Sequence, residues 1–190
     1  MKYCIEQIVN YCLKNDIISE NQVPWLRYGI EKRLSSIIGL ISFSILAVFL
    51  SDFWCSVWFI FSFYILRKRI NGYHSKTPFG CFCISLTMEL LFFKFVYPIL
   101  TPIIAILVSI FCIVILLLFA PYNHPNIHYS AEEILALKKS IRHRVSMLSA
   151  IFLISFTMQK SSSLQGLTLG MAMAAYMLSL AYITEWRKNK

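Results

Sequence analysis

Long apolar runs separated by short polar breaks dominate the chain. Residues 34–66 carry a single charge, Asp52; residues 95–131 carry none, and residues 145–184 carry only Lys160. A spanning helix needs about 20 mostly apolar residues, within a range of roughly 17–25. Six spans follow from this pattern: Leu34–Leu50, Phe53–Leu66, Cys81–Tyr97, Ile99–Ala120, Val145–Met158 and Leu164–Ile183. The small break at Ser51-Asp52 reads as the turn of a tight helical hairpin. The third span is weaker because it contains Glu89 and Lys94. These two charges are expensive inside a membrane, so they are expected to face protein or each other.

Before the first span the spacing changes. Ile5, Ile8, Val9, Cys12 and Leu13 recur at helical intervals, with Lys2, Glu6 and Lys14 elsewhere. That pattern predicts an amphipathic helix lying at the membrane interface or packed on the protein itself. Ser19 and Gln22 have capping-box spacing, and Pro24 stands where a second helix can begin. The segment lacks the uncharged core and small-residue cleavage site of a signal peptide.

Composition agrees. Apolar residues make up 58% of the 190 and charged residues 14%, against roughly 45–50% and about 25% in soluble domains. Disorder, a disulfide-stapled secreted domain and an ordinary cytosolic enzyme are disfavoured. The expected fold class is all-α: a polytopic membrane protein of about six spans with an N-terminal amphipathic helix. One membrane domain is expected, with residues 1–33 cytoplasmic or interfacial, 34–183 forming the bundle, and 184–190 a cytoplasmic tail. Lys and Arg set the orientation. Sixteen of the 18 fall before the first span, in loops 67–80 and 121–144, or in the tail. Both termini and those two loops are therefore expected to face the cytoplasm.

Of the six cysteines, Cys4, Cys12, Cys55 and Cys112 read as free thiols acting as small hydrophobes. His124, His128 and His143 share the second cytoplasmic loop, but the nearby sequence offers too few further ligands for a metal centre. No cofactor and no nucleic-acid partner are expected.

The informative stretch runs from Arg67 to Cys81. Thr77-Pro78 is a helix start, so Cys81 falls within the first turn or so of the third span. The positive end of that helix and a local excess of Lys and Arg favour an ionised sulfur. His74 lies in the preceding loop, which Asn71-Gly72 can turn toward the helix. A histidine within reach of such a cysteine is what a cysteine nucleophile requires. Cys83 points about 200° away around the helix and is the poorer candidate. On spacing alone, flanking basic residues are equally topological anchors, and a small transporter or a non-catalytic scaffold or sensor remain open.

The order Arg67-x4-Gly72-x-His74-x6-Cys81 resembles the motif of the AgrB family, membrane cysteine endopeptidases that process quorum-sensing propeptides. The Ala120-Pro121 step, Pro125, the Glu/Lys-rich stretch to Arg144 and the basic balance are similar as well. Asn71 stands where a second Gly is common, and Ser75 where Ala is common. The resemblance implies His74 and Cys81 as catalytic residues, with Arg67 and Gly72 as substrate-binding residues. It implies an AgrD-like propeptide as substrate, cleaved through a Cys81 thioester that a substrate Cys or Ser displaces to close a thiolactone or lactone. It further implies the lipid bilayer as surroundings and a homodimer as assembly.

Overall fold

The computed structural model describes residues 2–73, 78–123 and 129–188, and among these every regular element is helical. The helices are α1 (Lys2–Lys14), α2 (Val23–Leu50), α3 (Phe53–Ile70), α4 (Pro78–Leu91), α5 (Pro102–Phe119), α6 (Ala131–Thr157) and α7 (Ser161–Lys188). A 3-10 turn at Glu20–Gln22 precedes α2. A π-helical segment at Phe92–Val96 and a 3-10 turn at Tyr97–Ile99 follow α4. The chain forms two compact units, Met1–Ser42 and Phe43–Lys190.

In the first unit the expected amphipathic helix is α1. Ile5 and Val9 are buried on one face, whereas Tyr3, Ile8 and Tyr11 are exposed. Glu6 pairs with Arg27 of α2 at 2.9 Å. The Ser19 N–H donates to Gln22 Oε1 at 3.1 Å, as the capping spacing requires. The expected second interfacial helix and first span differ from expectation in one respect. They form a single uninterrupted helix, α2, because Glu31, Lys32 and Arg33 add charge without a helix breaker between Gly29, which the helix accommodates, and Leu34.

In the second unit the central element is α7, packed most extensively against α3 and α5. Gly166 and Gly170 lie on the α3 side, and an added Cβ at either would overlap α3. At Gly166 it would meet the Cys55 carbonyl, and at Gly170 the Ser62 hydroxyl and the Phe59 carbonyl. Small residues four apart are what lets two membrane helices approach this closely, since lipid supplies no hydrophobic drive between them. Toward α5, Thr168 of α7 hydrogen-bonds Ser109 at 3.0 Å, both buried.

Chain breaks are set by caps. The lone charge of residues 34–66 is one of them: the Asp52 carboxylate accepts from Cys55 N at 3.1 Å and opens α3. Thr101 and Pro102 start α5. Ser130 and Glu133 form a reciprocal capping box on α6, at 3.2 and 2.8 Å.

Among the described residues, four helical stretches are long and apolar enough to cross a membrane: Glu20–Leu50, Gly80–Ile99, Pro102–Phe119 and Ser161–Arg187. They coincide with four of the six expected spans. The other two belong to helices with a shorter apolar part and a basic part. α3 carries Arg67, Lys68 and Arg69 in its last turn, and the first half of α6 carries Lys138, Lys139, Arg142 and Arg144. Glu89 and Lys94 do not pair. Glu89 is buried within α4, neither of its oxygens having a partner, while Lys94 is exposed in the π-helical segment with its Nζ 5.8 Å from the Phe95 ring centre.

Candidate active site

The site is assembled at the end of α3. Asn71 caps this helix in the left-handed conformation, φ 49° and ψ 47°, which Asn tolerates better than most residues because its short polar side chain bonds locally. The chain then passes Gly72, which is buried. A Cβ there would stand 2.7 Å from Arg67 Nη1 and 3.0 Å from the Met177 carbonyl oxygen, so lack of space, not backbone angle, calls for glycine.

Three hydrogen bonds pin this corner. The Tyr73 N–H donates to the Met177 carbonyl of α7 at 2.9 Å, and the Tyr122 N–H donates to the Ile70 carbonyl at 3.0 Å. Arg144 Nη1 of α6 donates to the Ile65 carbonyl at 2.7 Å. The Tyr122 segment is held in turn. Its ring meets Tyr182 edge to face at 4.9 Å, and its hydroxyl bonds Glu185. Burial, then the Glu185 charge, push the Tyr122 hydroxyl above its ordinary pKa, so it stays neutral.

Arg67 is turned inward. Its Nη2 donates to the Tyr73 carbonyl at 2.7 Å, and its guanidinium lies near the Cys81 side chain. Burial lowers the Arg67 pKa from its ordinary value, and the nearby sulfur acts in the opposite direction. The residue is half-buried overall, but its Nη1 is fully buried without an acceptor, as is Asn71 Nδ2. Cys81 itself is a free, half-buried thiol in the first turn of α4, while Cys83 is exposed.

Thus Arg67, Gly72 and Cys81 converge, although they come from a helix end, a loop and the next helix. His74 and the Thr77 cap lie outside the described residues, as do His124 and His128. A permanent cation against a thiol is a setting in which sulfur acts as a nucleophile. Among the described residues no group of three His, Cys, Asp or Glu is placed to hold a metal. An open groove of about 570 Å³ between α5 and α6, lined by Ile113, Leu117, Arg142 and Ser149 among others, contains none of the motif residues.

Two contributors had no signal in the sequence. Met177 takes part through its backbone carbonyl, about a hundred residues from Tyr73, and Tyr73 through its amide and carbonyl. Neither role depends on a side chain that could be read.

No curated protein and no solved structure matches the chain. The family model described as accessory gene regulator B does match, over residues 5–179, a range that includes the whole of the Arg67–Cys81 segment. The chain therefore belongs to the AgrB family, membrane proteins of the agr quorum-sensing system.

Proposed function

We propose that the protein is a membrane-embedded cysteine endopeptidase acting on an AgrD-like propeptide at the cytoplasmic face. The observation that carries this reading is the placement of Cys81, in the first turn of α4, near an Arg67 guanidinium turned inward onto the Tyr73 carbonyl. A purely topological anchor would leave that cation outward, toward water and lipid headgroups.

In this reading His74 takes the Cys81 proton, and the sulfur attacks the carbonyl carbon at the end of the signal sequence. A C–S bond forms, the C–N bond breaks, and His74 returns the proton to the departing amine. The acidic tail leaves and the signal segment stays as a thioester on Cys81. A Cys or Ser of the substrate then displaces the enzyme sulfur, closing a thiolactone or lactone. Thioester exchange changes bond energy little, so the enzyme's task is to hold the substrate thiol close and keep water away. Lys68 and Arg69, both exposed at the end of α3, are suited to the acidic tail, while the bilayer gathers the amphipathic leader. Both termini face the cytoplasm and the protein works as a homodimer.

The test is cleavage in liposomes holding the purified protein and an acidic-tailed propeptide. Cys81→Ala and His74→Ala should each leave the propeptide uncut at normal protein level; full processing by either would sink the reading. A second reading, a peptide or ion transporter without proteolysis, is favoured by Glu89, a buried carboxyl with unpartnered oxygens inside a span. It requires that Cys81→Ala leave flux intact.

A further inference from the structure

The guanidinium of Arg67 has more donors than its observed partners use. Nη2 is committed to the Tyr73 carbonyl at 2.7 Å, and the Cys81 side chain is near enough to act on the charge of the group. Nη1 is buried and has no acceptor. Buried donors without a partner are rare in folded proteins, and one on a charged group calls for an explanation. Asn71 Nδ2, at the same helix end, is a second buried donor without an acceptor. The Tyr73 carbonyl fixes the guanidinium on one side. Gly72 packs against Nη1 so closely that a Cβ would stand 2.7 Å from it. A fixed, charged donor without an acceptor, close to a nucleophilic sulfur, is suited to negative charge that exists only during reaction.

We propose that Arg67 Nη1 receives the oxygen of the carbonyl that Cys81 attacks, making Arg67 a catalytic residue that serves sulfur and oxyanion with one guanidinium. The proposal rests on the endopeptidase reading and deepens it. As the C–S bond forms, the carbonyl π pair moves onto oxygen, and that anion accepts from the Nη1–H. On collapse the pair returns to the carbonyl, the C–N bond breaks, and the amine leaves with the proton that His74 took from the thiol. Nη1 keeps its own proton throughout. Substrate recognition by the acidic tail then falls to other cations, and the Arg67-x4-Gly72 spacing acquires a reason: any larger residue at Gly72 would press on the donor.

The experiment compares two reactions of Cys81 in the full-length protein in liposomes. Alkylation by iodoacetamide, read at Cys81 by peptide mass spectrometry, displaces iodide at a saturated carbon and creates no oxyanion. Single-turnover release of the acidic tail from the propeptide does create one. Arg67→Lys keeps the cation but loses the fork. It should alkylate within about fivefold of the parent while tail release falls about 10²–10³-fold, the loss typical of one oxyanion donor. The loss should fall on kcat, with KM moving less than about threefold. Gly72→Ala, whose methyl presses on Nη1, should show the same split and carries the test if Arg67→Lys fails to insert. Tail release reduced less than about tenfold, or reduced in step with alkylation, would overturn the oxyanion role. Tail release by Cys81→Ala would instead overturn the endopeptidase reading itself.

Discussion

Gly170→Ala links the helix packing to the site. The added methyl would overlap the Ser62 hydroxyl and stand 2.7 Å from the Phe59 carbonyl oxygen and 2.9 Å from the Phe63 amide nitrogen. Ordinary carbon contacts begin near 3.5 Å, so α3 and α7 must separate by several tenths of an ångström or more. Ser62 can rotate away only by giving up its bonds to the Trp58 and Phe59 carbonyls, at 2.8 and 3.1 Å. The other two atoms are backbone and cannot. Overpacking of this kind costs about 1–3 kcal/mol, which lowers Tm by about 2–12 °C for a chain of this size. The same separation strains the Tyr73–Met177 bond between the site and α7, and a misplacement approaching 1 Å can cost about 10²-fold in rate. Thermal unfolding of the detergent-solubilised protein and tail release in liposomes read the two effects. Adding Ser62→Ala should recover only part of the stability, because the backbone overlaps persist. Unchanged Tm and activity in Gly170→Ala would refute the close packing, and full recovery in the double variant would refute the part assigned to backbone.

Two further predictions concern polar groups inside the bundle. Thr168 spends its hydrogen on the Leu164 carbonyl at 2.8 Å, so Ser109 must donate in the 3.0 Å bond between α5 and α7. Ser109→Ala should therefore cost about 0.6 kcal/mol and at most about 1.7, the range for hydrogen bonds between membrane helices; unfolding in mixed micelles measures it, and a loss well above that range contradicts the assignment. Glu89 has no partner for either oxygen, so Glu89→Gln should leave stability equal or higher in the same assay. A loss of more than about 1 kcal/mol would mean that the carboxyl is held by a bond that an amide cannot make.

The elements were legible where apolar runs meet strong local signals. Asp52 and Thr101 cap their helices through their side chains, and Pro78 stands at the first position of α4, all signals that act over a few neighbouring residues. Span membership was harder for α3 and α6, because each helix joins an apolar part to a basic one without a break. The continuity of α2 was missed for a related reason: charge changes the solvent a helix prefers but does not end the helix. At the site, the residue types of the motif were readable, and so was their place at a helix end. Orientation was not. Arg67, which the resemblance implies as a substrate-binding residue, turns inward because the Tyr73 carbonyl offers it a partner there, near the Cys81 sulfur. That partner exists only once the Met177 carbonyl holds Tyr73 in place. The likeness of Gly166 and Gly170 to ordinary loop or helix-breaking glycines similarly conceals their function, which depends on a second helix.

The central claim is that Cys81 becomes covalently attached to the substrate. Purified protein in liposomes, mixed with an acidic-tailed propeptide and quenched in acid, should give a Cys81 peptide heavier by the mass of the propeptide without its tail. Hydroxylamine should remove that mass. An adduct on Cys83, or tail release with no thioester on Cys81 at any time, would contradict the account.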